Sequence, residues 1–370
     1  MNMRFTFALT ARYPTEKAYG VTTTGCVRAL RNLGHSVEVI SAYNLNRQKR
    51  FLEADKKYAR QITMPDSIAK WTFKLNQIKF GVTLALRNKK SNLGILWTRE
   101  VVLAVLLTLI NPESTIVIEI HQIPNRVERR ALAFISKKTN VIICPIKDYL
   151  AQQTDLKKDS YLTLPMAVPN SFIEYGSRTN WPKRVDGKIS VIYLGRAFNA
   201  HEKLDLQYLC KNFESLIQAS EKIEITYIGI DKYLVEPYLK KSSLNSVKII
   251  PNLPHHKVLE ELSNSDIGIL AYPNSHYYRS IFPIKLVEYA ASKTLIVASD
   301  TPGHREILGQ DLALYYSLDD EFALKHAILN VIQCPSNYLQ YVKSAFEWSK
   351  SYTYENRVLR VINEIMKRKL

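Results

Sequence analysis

The sequence predicts an α/β protein made of two doubly wound parallel-sheet domains. Three observations carry this. Short apolar runs of strand type alternate with helical periodicity, beginning with Met3–Leu9 (MRFTFAL) and His35–Ser41 (HSVEVIS) on either side of a helical stretch. That order builds βαβ units and therefore parallel strands. The alternation starts afresh at Ile189–Leu194 (ISVIYL), after a Pro- and Lys-rich stretch, EYGSRTNWPKRVDGK, that reads as a linker. Finally, 370 residues at 46% hydrophobic and 23% charged suit two domains, each able to bury its own core. The expected domains are residues 1–175 and 187–349.

In the first βαβ unit, Arg12–Gly20 is the loop leaving the first strand. Val27, Leu30 and Leu33 mark the helix, and Gly34 its C-terminal cap. No G-x-G-x-x-G follows the first strand, which argues against a nicotinamide cofactor. A basic region comes next, with twelve Lys/Arg against three Asp/Glu over residues 47–90. Within it Ile68, Trp71, Leu75, Ile78 and Val82 fall on one helical face, with Lys70, Lys74 and Lys79 around it. Two readings stay open: a stripe packed on its own domain, or a face lying in an anionic membrane interface. Gly94–Thr98, Thr115–Ile120 and Asn140–Cys144 supply further strands, and a helix from Arg99 ends before Pro112. His121 stands where a strand passes into a loop, a position where binding residues concentrate.

In the second half, Ile189–Leu194 meets Gly195-Arg196, a turn glycine followed by a planar fork for phosphate oxygens. Glu224–Ile228, Val247–Ile250 and Ile267–Ala271 continue the sheet, and His255-His256 reads as a surface pair. Most informative is Ser280–Glu306, SIFPIKLVEYAASKTLIVASDTPGHRE. Pro283 suits the first position of a helix running to about Ala291. That helix start presents the N–H groups of Ile284, Lys285 and Leu286, and with the helix dipole they favour a diphosphate. Glu288, one turn further, is placed to meet a hydroxylated group beside that phosphate. Thr294–Ser299 is a buried strand closed by the turn signal Asp300–Gly303.

Four dispersed cysteines show neither metal-ligand spacing nor a disulfide framework, which implies a reducing compartment. The N-terminus reads as a strand rather than a leader. The most apolar stretch, Val101–Ile110, falls short of the roughly 20 residues that span a bilayer. The net charge of +17 implies an acidic partner. No recognition motif accompanies it, so nucleic acid is not expected.

The Ser280–Glu306 stretch resembles the C-terminal signature of family 4 of the retaining glycosyltransferases, P-x-K-L-x-E-Y-x-A followed by a strand and a Gly-x-x-Glu turn. The matching residues are Pro283, Lys285, Leu286, Glu288, Tyr289, Ala291, Gly303 and Glu306. Glu119, His121 and Pro124 resemble the family's E-x-H-D-x-P, with Gln122 in place of the acid, and Gly195-Arg196 its G-R. The resemblance implies two Rossmann-like domains facing across a cleft (the GT-B fold), with the acceptor held by the first and a nucleotide-sugar donor by the second. It also implies that the last helix, about 350–370, returns to the first domain.

The implied catalytic residues are His121, Arg196 and Lys203; the usual lysine spacing lands on His201, so both stay open for the second phosphate position. The implied substrate-binding residues are Gly20, Ser280, Phe282, Pro283, Ile284, Lys285, Leu286 and Glu288. Ser280 stands where many relatives carry a first glutamate, and Tyr19 where many carry a second glycine. The implied reaction is retaining transfer to a glycan or lipid-linked acceptor in surface-polysaccharide synthesis, without metal or other cofactor. The expected location is the cytoplasm, on the inner membrane face through residues 47–90. Alternatives are a silent sugar-nucleotide binder and a same-fold epimerase or phosphorylase.

Overall fold

The computed structural model describes residues 2–11, 13, 15, 18–41, 59–61, 70–154, 156–183, 187–195 and 206–369. The chain divides into two compact units. One comprises Met1–Ala167, Ser280–Phe282 and Tyr354–Leu370, the other Val168–Arg279 and Pro283–Thr353.

The first unit is built on β1 (Arg4–Leu9), β2 (Ser36–Ser41), β3 (Ala59–Gln61), β4 (Ile95–Thr98), β5 (Ile116–Ile120) and β6 (Val141–Pro145). These strands pair in the order β3-β2-β1-β4-β5-β6, all parallel, with Phe5 opposite Val37 on one side and Ile95 on the other. The central and later strands β4, β5 and β6 are buried along their whole length, as a parallel sheet covered on both faces requires. Phe7 stacks on Trp97 at 5.0 Å in the core. Val27 and Leu30 of the helix Ala18–Asn32 pack in the same cluster as Val358, Ile362 and Ile365 of the helix Tyr354–Lys369. Those two helices fit closely because Gly25 has no Cβ; one added there would come within 2.3 Å of the Tyr354 ring.

The second unit repeats the plan with β7 (Ile189–Leu194), β8 (Ile223–Ile228), β9 (Val247–Ile250), β10 (Ile267–Leu270), β11 (Leu295–Ser299) and β12 (Leu314–Tyr316). Its order is β12-β11-β10-β7-β8-β9, so each sheet reverses direction of growth beside its own first strand. The α/β class and the two doubly wound sheets expected from sequence are therefore present.

The structure corrects several local readings. β3 and β12 are three-residue edge strands, too short to leave a periodic signal. Part of the stretch expected as linker is built into the fold: Asn170–Arg178 is a helix, and Trp181 is buried with its indole N–H donating to the Asp266 carbonyl at 2.9 Å. Pro302 and Gly303, expected in a turn, open the helix Pro302–Leu308, whose cap Thr301 accepts from the His304 N–H. On the helix Lys70–Ser91 the buried face is Phe80, Leu84 and Ala85, whereas Ile78 and Val82 are exposed. Ile68 and the side chains of Trp71 and Leu75 lie outside the described residues. Among those described, no helix is long and apolar enough to cross a membrane.

Candidate functional site

In open α/β sheets ligands bind outside the carboxyl ends of the strands where the order reverses. In the second unit that point lies between β7 and β10. Arg196, His201 and Lys203, expected just beyond the end of β7, lie outside the described residues. The helix Ile284–Ala291 is present with the predicted end. Its start is shifted, because Pro283 is the cap (φ −69°, ψ 125°) rather than the first helical residue. The Leu286 N–H is taken up by the Pro283 carbonyl at 3.2 Å. Ile284 and Lys285 are left to present bare N–H groups. Ser280 ends the short helix His276–Ser280, and both it and Phe282 are buried.

Lys285 is a buried residue of the second unit's interior. Its Nζ donates to the Leu194 carbonyl at 2.5 Å and sits 4.6 and 4.7 Å from the ring centres of Tyr193 and Tyr272. Burial pushes its ammonium down to about 7, against the opposing pull of the Glu288 carboxylate. Lys285 thus closes the end of β7, where its Nζ also lies against Gly195. Glu288 is 3% exposed and pairs through Oε1 with His255 Nε2 at 2.6 Å. The reading of His255 as a surface residue is therefore corrected. It stands in the turn after β9, and its position beyond a strand end was the one sequence signal available.

The Gly-x-x-Glu of the signature serves packing. A Cβ on Gly303 would sit 3.0 Å from Arg279 Cα, and Glu306 accepts from Arg279 Nε at 2.6 Å. Together they hold the segment Tyr278–Arg279 against the helix Pro302–Leu308.

In the first unit the order reverses between β1 and β4, and a cavity of about 420 Å³ opens there. Leu9, Tyr19, Arg99, Glu100, Glu119, His121, Gln122 and Glu128 are among its lining. Glu119 ends β5 almost fully buried. Its Oε1 accepts from the Trp97 indole at 2.8 Å, and its Oε2 meets Arg99 at 3.3 Å, Arg357 at 2.9 Å and His121 Nε2 at 2.5 Å. Burial alone would raise the Glu119 carboxyl, but Arg357, Arg99 and the His121 hydrogen bond outweigh it and hold it well below the usual range. Burial and the neighbouring Arg99 push His121 down to about 4, so its ring is neutral at neutral pH. Glu100 accepts from Gln77 at 2.9 Å, and Glu128 closes a capping box with Asn125.

Gly20 is not a loop residue. It lies in the first turn of the helix Ala18–Asn32, where an added Cβ would come within 2.3 Å of the Thr15 carbonyl. The expected residues that are described thus fall into two groups, Gly20, His121, Ser280 and Phe282 in the first unit and Pro283 to Glu288 in the second. Arg357 and His255 were not anticipated.

Residues 188–334 match the sequence model of the family described as Glycosyl transferases group 1. No curated protein matches the chain in sequence. Among solved structures, a glycosyltransferase from Rickettsia africae is similar at 14% identity and TM-score 0.75, over 100% of this chain and 99% of that one. HepE from Anabaena, solved in complex with UDP, is similar at 10% identity and TM-score 0.72, over 99% and 100%. The sucrose-phosphate synthase from Thermosynechococcus elongatus gives 13% identity and TM-score 0.68, over 98% and 99%. At these identities the likeness establishes fold. The chain has the GT-B fold of two parallel-sheet α/β units, and the match to the group 1 model falls on residues 188–334.

Proposed function

We propose that this protein transfers a sugar from a nucleotide-diphosphate donor, with retention of configuration, to a glycan or lipid-linked acceptor in surface-polysaccharide assembly. The observation that carries the reading is the group 1 match over residues 188–334, the segment that contains the helix start at Ile284. In this reading the donor diphosphate is neutralised by Arg196, by Lys203 or His201, and by the Ile284 and Lys285 N–H groups. Preorganised donors of this kind are each worth about 3–4 kcal/mol of barrier. Glu288 takes the ribose hydroxyls, and His121 holds the sugar in its neutral form. No metal is required, since cationic side chains and a helix dipole answer the leaving charge. HepE was solved with UDP, which makes a uridine nucleotide the first donor to try.

Association with the inner membrane face is part of the proposal. Ile78, Val82 and Leu86 form an exposed apolar row on the helix Lys70–Ser91 (44%, 37% and 53% exposed), with Lys79 and Lys89 exposed beside it. Such a row with flanking lysines suits an anionic lipid surface. Flotation with phosphatidylglycerol vesicles in preference to phosphatidylcholine is expected; equal flotation would remove this part.

The central test is thermal stabilisation across nucleotide diphosphates and their sugars, with Arg196→Ala alongside. A donor at 100 times its Kd adds about 2.7 kcal/mol. One nucleotide should stabilise the wild type and not the variant, and NMR of the product should show the donor's anomeric configuration. Stabilisation without any turnover, even hydrolysis, would favour the silent-binder alternative that Ser280 raises.

A further inference from the structure

We propose that Arg357, on the helix Tyr354–Lys369, is a positioning residue for His121: through Glu119 it fixes the imidazole as its neutral Nε2–H tautomer, leaving Nδ1 as a hydrogen-bond acceptor at the cavity. The role of His121 toward a sugar rests on the glycosyltransferase reading; the tautomer itself does not.

The geometry runs as a chain of contacts within the first unit. Arg357 is 3% exposed, and its NH1 donates to the Leu164 carbonyl at 2.5 Å and to that of Pro165. Its other terminal nitrogen reaches Glu119 Oε2 at 2.9 Å, the same oxygen that meets His121 Nε2 at 2.5 Å. A carboxylate can only accept, so the His121 nitrogen facing it must carry the proton. No described residue hydrogen-bonds Nδ1.

Burial opposes a second proton on the ring, and the charges beside it add to that opposition. Beside the ring Glu119 carries one negative charge, and Arg99 and Arg357, both paired to its Oε2, carry one positive charge each, a net of one positive charge, which opposes a second proton on the ring. Glu100 and Glu128 line the same cavity at greater remove. Cys26, against Arg357, has its thiol pushed up by burial to about 11, and burial likewise raises Cys144; both are uncharged. Without Arg357 the contacts around the ring sum to zero, and the proton becomes easier to add.

The experiment is long-range 15N–1H correlation of 15N-histidine-labelled full-length protein between pH 7.5 and 4, with His121→Asn used for assignment. Expected is the Nε2–H tautomer throughout, cationic only near pH 4. In Arg357→Met the midpoint should rise by at least one unit, while Arg357→Lys keeps it low. Arg357→Gln, which retains donors for the Leu164 and Pro165 carbonyls, is read in the same way if the methionine variant does not fold. An Nδ1–H tautomer in the wild type, or an unshifted midpoint in a folded Met or Gln variant, overturns the inference. A wild type that shows the expected tautomer but transfers no sugar would sink the functional reading and leave this one standing.

Discussion

At the level of single residues the second unit turns on two buried contacts. Glu288 is a nearly inaccessible carboxylate held by His255. A hydrogen bond to a charged group contributes about 1.5–3 kcal/mol. His255→Ala should therefore lower stability in urea by that amount, and His255→Gln, which keeps a donor, by less. Lys285 gives a pH signature. Its folded pKa of about 7 lies below the ordinary lysine value of 10.5. Between those values the unfolded chain binds a proton that the native state does not, so stability rises with pH across the window. The contribution is complete above 10.5 and lost as pH falls through about 7. Lys183, whose half-buried side chain donates to the carbonyls of Leu262 and Ser265 and which is also lowered to about 7 by desolvation, acts in the same direction. Lys285→Met should flatten the rise of the urea midpoint between pH 7 and 9.

At the level of elements, the helix Pro302–Leu308 can approach the Tyr278–Arg279 backbone because residue 303 is glycine. Gly303→Ala places a methyl 3.0 Å from a backbone carbon that cannot swing aside. Overpacking of this sort costs roughly 1–3 kcal/mol, to be read as a lowered Tm. Elements of this size were largely legible in the sequence. Ile189–Leu194, Val247–Ile250 and the end at Ala291 appear with the bounds the sequence suggested, and Ile189–Leu194, buried at every residue, leaves the continuous hydrophobic stretch of a central parallel strand. What sequence could not give was partnership across long separations. The side chain of the signature lysine is anchored to the Leu194 carbonyl, 91 residues away in the chain. His255 meets Glu288 over 33 residues and Arg357 meets the Leu164 carbonyl over 193; no local pattern encodes either pairing. Gly20 was displaced from loop to helix for a smaller reason, since Glu16-Lys17 ahead of Ala18 offers none of the residue types that signal a helix start.

At the level of the whole chain, the first unit is discontinuous. Its core needs Val358, Val361, Ile362 and Ile365, all buried, together with the ion pair from Arg357 to Glu119. Truncation before Tyr354 would bare that apolar surface and leave Glu119 with one guanidinium fewer. The shortened chain is expected to be insoluble or to bind a hydrophobic dye strongly, whereas the full chain does neither. The same discontinuity sets an order of events during synthesis. Chains ordinarily fold from the N-terminus as they leave the ribosome. Here the second unit is complete once Thr353 has emerged, while the first, begun about 350 residues earlier, still lacks its closing helix. The half made first is finished last, and until then its nascent sheet is a natural client for a chaperone.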